Sequence, residues 1–86
     1  MEIGIKRDET QLPNGNWNVT VTPPAWSGFS ASTIELTDNQ FKRYKIWRAG
    51  LKMIRDALPE LNADQREILM TGIGPKEWDA AFKEDA

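Results

Sequence analysis

The chain has no histidine and no cysteine among its 86 residues. Those two absences remove much side-chain chemistry at once. Without imidazole or thiolate there is no zinc site of the usual ligand types and no cysteine nucleophile. A Ser-His-Asp or Cys-His arrangement within one chain is impossible. No disulfide can form, so stability must come from packing. Carboxylate or lysine chemistry remains, as does metal held by oxygen alone, but the acids form no D-x-[DN]-x-[DN]-G calcium loop. A non-enzymatic protein is expected, with no catalytic, cofactor or metal residues to nominate. Long apolar runs are lacking too. The longest are short ones such as Ile68-Leu69-Met70, whereas a spanning helix needs about 20 residues. The N-terminal Met-Glu-Ile-Gly-Ile-Lys has no basic region followed by an apolar stretch, so no secretory signal is expected. A soluble intracellular protein is the reading that fits.

What is present suits a globular chain. Hydrophobic residues make up 40% and charged residues 28%, which predicts one folded domain over residues 1–86 rather than disorder. Met1, Ile3 and Ile5 alternate with polar or small neighbours, as do Trp17, Val19 and Val21, the period of half-buried strands. Between them Leu12-Pro13-Asn14-Gly15 is a turn sequence. These features predict a β-hairpin over residues 2–10 and 16–22, with its register open because the residues before the turn are polar. Residues 23–36, rich in Pro, Gly and Ser, read as a loop, with Thr33–Leu36 either a short third strand or an extended lead into a helix.

Residues 37–86 read as three helices. Thr37-Asp38-Asn39-Gln40 is a capping box, and Leu36 and Phe41 have the spacing of a hydrophobic staple. From there the apolar residues Phe41, Tyr44, Trp47, Leu51, Ile54 and Leu58 step by three or four, predicting one helix from about 38 to 58 that stops at Pro59. Ile46, Gly50, Met53 and Ala57 form an adjacent stripe. A mid-helix Gly50 costs about 1 kcal/mol, so close packing against it is expected. A second cap-like sequence, Asn62-Ala63-Asp64-Gln65, opens the next helix, and a third is expected over about 75–83 with Trp78, Ala81 and Phe82 on one side. The fold class is therefore α+β, a hairpin packed on three helices.

Met70-Thr71-Gly72-Ile73-Gly74-Pro75-Lys76 places two glycines before a lysine, which suggests a phosphate loop. That motif needs the full G-x-x-x-x-G-K-[ST] spacing after a strand, and here the preceding element reads as a helix. Gly72 fits a left-handed helix stop instead, with Gly74 as the next N-cap and Pro75 at the first helical position. The stretch is a helix–turn–helix corner. The longer run from Leu58 to Phe82 resembles a tail found in small bacteriophage-encoded proteins. Those carry Pro-x-Leu, then Arg-Glu-Phe/Ile-Leu, Thr-Gly-Ile, and Glu-Trp-Asp ending in Phe. Gly74 stands where many of them have Thr or Ser. Such proteins mostly have no assigned function, so the resemblance implies a phage source, in the host cytoplasm or the virion, and little about mechanism. The hairpin has no counterpart in it.

Two features point to partners. The segment 38–58 carries six basic against two acidic residues, while the flanking segments are acidic. Lys42, Lys45, Lys52 and Arg55 recur at helical spacing opposite its apolar face, as either a solvated surface or a contact for an anionic partner. Four tryptophans are many for this length. Trp17, Trp47 and Trp78 lie in periodic patterns and are expected in the core. Trp26 lies with Phe29 in the loop, where an aromatic either folds back or meets a partner. A protein partner, from host or virion, ranks first. Nucleic acid bound through the basic segment ranks second, since the chain as a whole is acidic, and no membrane partner is expected.

Overall fold

A computed structural model describes residues 4–74. Three antiparallel strands, β1 (Lys6–Gln11), β2 (Trp17–Thr22) and β3 (Ser32–Leu36), pair in the order β1-β2-β3. The helices α1 (Asp38–Arg48), α2 (Ile54–Ala57) and α3 (Ala63–Thr71) follow. The α+β class and the N-terminal hairpin are as the sequence predicts, and the stretch before the first helix is a true third strand. Residues 1–3, at the expected start of the first strand, and the expected helix at 75–83 with Trp78 lie outside the described residues.

The Pro13-Asn14 turn is closed by the Gly15 N–H on the Leu12 carbonyl at 2.9 Å, with Gly15 at φ +91°. Register follows from it: Glu9 faces Val19 and Arg7 faces Val21, while Val19 and Trp17 face Ile34 and Leu36 across the other ladder. The inner face of β2 and β3 is apolar, and the β1 positions opposite Val19 and Val21 are charged. Those two charges are used in the fold. Arg7 donates to the carbonyls of Leu69 (3.0 Å) and Met70 (2.8 Å), supplying the cation that the last turn of α3 lacks. Glu9 accepts the hydroxyl of fully buried Tyr44 at 2.8 Å. Burial first, and then that acceptor, raise the Tyr44 pKa above the ordinary phenol value.

The core is Val19, Val21, Ile34, Leu36, Phe41, Tyr44, Ala57, Leu58, Leu61 and Leu69. Trp17 stacks on Phe41 at 3.9 Å, and the aromatic series continues through Tyr44 to Trp47. Both N-caps form as expected: Thr37 with Gln40, and Asn62 with Gln65, each a reciprocal capping box.

The long first helix is not one helix. It stops at Arg48, and Gly50 takes φ +81°. Leu51 N–H bonds the Ile46 carbonyl (3.1 Å) and Gly50 N–H bonds that of Trp47 (2.9 Å), the paired pattern of a Schellman stop. The chain turns, and α2 resumes at Ile54. The close packing expected around Gly50 is also absent among the described residues, none of which comes within 4 Å of a Cβ placed there.

Candidate functional site

Trp26 is the most exposed large apolar side chain among the described residues, at 83%. It sits in a single 3-10 turn, Ala25–Ser27, that follows the buried Pro23 and Pro24. The turn is held by its own bonds. Ser27 donates to the Pro24 carbonyl through N–H (2.9 Å) and Oγ (2.7 Å), and Phe29 N–H donates back to Ser27 Oγ at 3.2 Å. Gly28 at φ +76° lets the chain leave. The indole is thus presented on a fixed support, with Phe29 half-buried beside it in the chain.

The basic residues do not form one helical face. Lys42 and Lys45 lie on α1, Lys52 in the connection after it, and Arg55 on α2. Lys42 pairs with Asp38 at 3.4 Å, and Lys45 lies over the Phe41 ring at 5.3 Å. Asp38 is held below its usual pKa first by the Trp17 indole N–H and then by Lys42. Arg43, not singled out from sequence, is held on several sides. It donates to both Glu60 carboxylate oxygens, to the Ala57 carbonyl (3.0 Å) and to Asn39 (3.0 Å). This fork straps α1 to the end of α2 and lowers the Glu60 pKa to about 2.

The turn at Gly50 opens a surface that the sequence did not reveal. An open groove of about 630 Å³ lies between α1, α2 and α3, lined chiefly by Trp47, Met53, Ile54 and Met70. Arg55 and Arg66 edge it, with Glu67 as the one acid of the lining among the described residues. Trp47, expected in the core, is half-buried, packing on the core while lining this groove. The arginines Arg7 and Arg48 lie over its ring at 5.4 and 5.8 Å. Met53 and Met70 are 61% and 41% exposed. Among the described residues no group of acids could hold a metal ion, and no helix is long and apolar enough to cross a membrane.

No protein-family model matches the chain, and no curated protein or solved structure matches it.

Proposed function

We propose that this chain is a non-enzymatic protein–protein interaction module of phage origin, a virion accessory or a modulator of a host protein, with Trp26 as its anchor. The observation that carries the proposal is the 83% exposure of an indole on a hydrogen-bonded turn. A tryptophan buries on the order of 150–250 Å². Leaving most of that in water forgoes about 3–5 kcal/mol, which a partner's apolar pocket would recover. Because the turn is already ordered, little entropy is lost on docking. No charged residue occurs from Thr10 to Ile34, so this segment offers shape and apolar area rather than charge. Nucleic acid stays second, since the bases of α1 already face Asp38, Glu60 or an aromatic ring.

The test is Trp26→Ala. Thermal stability should stay within about 0.5 kcal/mol of the parent, as for surface changes generally. Recovery of a protein captured by the parent chain should fall by about 2 kcal/mol of affinity, roughly 30-fold. A stability loss of about 3–5 kcal/mol would mark a core residue instead and end the proposal.

A further inference from the structure

We propose that the groove between α1, α2 and α3 is a second docking surface whose occupant is an amphipathic helix with an acidic edge, contributed by a partner protein. The floor is apolar, formed by Trp47, Ile54, Met53 and Met70. Methionines suit a surface that must mould itself to a helix face, being unbranched and polarizable. The volume, about 630 Å³, is in the range of binding clefts, about 300–1,000 Å³. A groove between helices takes a helix through anchors at i, i+3 or i+4, and i+7.

Charge selects the occupant. Arg55 comes from α2 and Arg66 from α3, so a cation stands on each of two walls. Neither has an ion-pair partner among the described residues. Arg7 and Arg48 over Trp47 add positive charge beside the floor. Against these stands Glu67, which accepts a bond from the Thr71 hydroxyl at 3.2 Å. A helix with glutamates flanking its apolar stripe complements this set, and a basic helix is repelled by it.

The experiment titrates two synthetic helical peptides into the full chain, read by fluorescence anisotropy. Both carry Leu, Phe and Leu at i, i+4 and i+7, one with flanking glutamates and one with glutamines. The acidic peptide should bind roughly tenfold or more tightly, with the gap closing as salt rises. Arg55→Gln with Arg66→Gln should abolish the gap without lowering Tm, and Met53→Ser should weaken both peptides. The Trp26→Ala chain should bind as the parent does, which separates this surface from the first. Equal affinity for the two peptides would overturn the acidic partner, and binding of neither would overturn the groove as well. Tighter binding of a peptide of residues 75–86, or concentration-dependent dimers lost on Met53→Ser, would overturn the partner in favour of the chain itself.

Discussion

Gly50 and Gly72 are the same device used for opposite ends. Both stand just past a helix, at φ +81° and +80°. At Gly72 the corner is closed. A Cβ there would lie 2.8 Å from the Val21 carbonyl oxygen and 3.0 Å from Pro23, so α3 ends hard against the strand that leads into the Trp26 turn. At Gly50 the corner is open, with none of the described residues near, and Leu51 beyond it is 75% exposed. The closed corner completes the core, whereas the open one swings α2 aside and leaves Met53 and Ile54 bordering a groove. A left-handed glycine therefore says where a helix stops. What packs against it says whether the stop serves folding or surface.

The largest effect should fall on the closed corner. Gly72→Ala combines a left-handed penalty of about 1–2 kcal/mol with a clash of about 1–3 kcal/mol. The expected loss is about 2–5 kcal/mol, or roughly 10–30 °C in Tm by calorimetry. Gly50→Ala meets only the backbone penalty and should cost about 1–2 kcal/mol. Equal losses at the two positions would break the comparison.

A smaller effect sharpens it from the acid side. Glu60, strapped to Arg43 at the end of α2, titrates at about 2 in the folded chain against an ordinary 4.5. A lowered folded pKa means its contribution is full above pH 4.5 and is lost as pH falls through about 2. Both partners are partly exposed, with side-chain exposures of 31% and 39%, so the contribution should stay near or below about 1 kcal/mol. Stability curves of the parent and Glu60→Gln should differ at pH 6 and converge near pH 2. Curves that stay parallel throughout would show that the strap does not hold the open corner. The change of least consequence for stability is Trp26→Ala, since its indole is mostly exposed.

The two corners also show what was legible in the sequence. Gly72 is recognisable as a helix stop because the apolar period ends there. Gly50 has the pattern of a mid-helix residue because the period does not end: Trp47 before it and Ile54, Ala57 and Leu58 after it all pack on or within one core. Periodicity records burial, and two helices resting on one core can keep a common phase across a turn. The same common phase aligns Lys42, Lys45, Lys52 and Arg55 as one stripe in the sequence and conceals the groove. Leu51 and Met53, exposed where a buried face was expected, are consequences of that turn. By contrast, the capping boxes, the hairpin turn and the unpatterned Trp26 were visible because each depends on a few adjacent residues. The inward charges of β1 were not, since Arg7 and Glu9 find partners 62 and 35 positions away.

Everything proposed for the groove depends on the open corner, and backbone NMR chemical shifts across residues 46–56 test it most directly. Helical Cα and carbonyl shifts should persist through Arg48, lapse from Gly50 to Met53, and resume at Ile54. An unbroken helical run through those residues would restore the single long helix, erase the groove, and contradict the account at its centre.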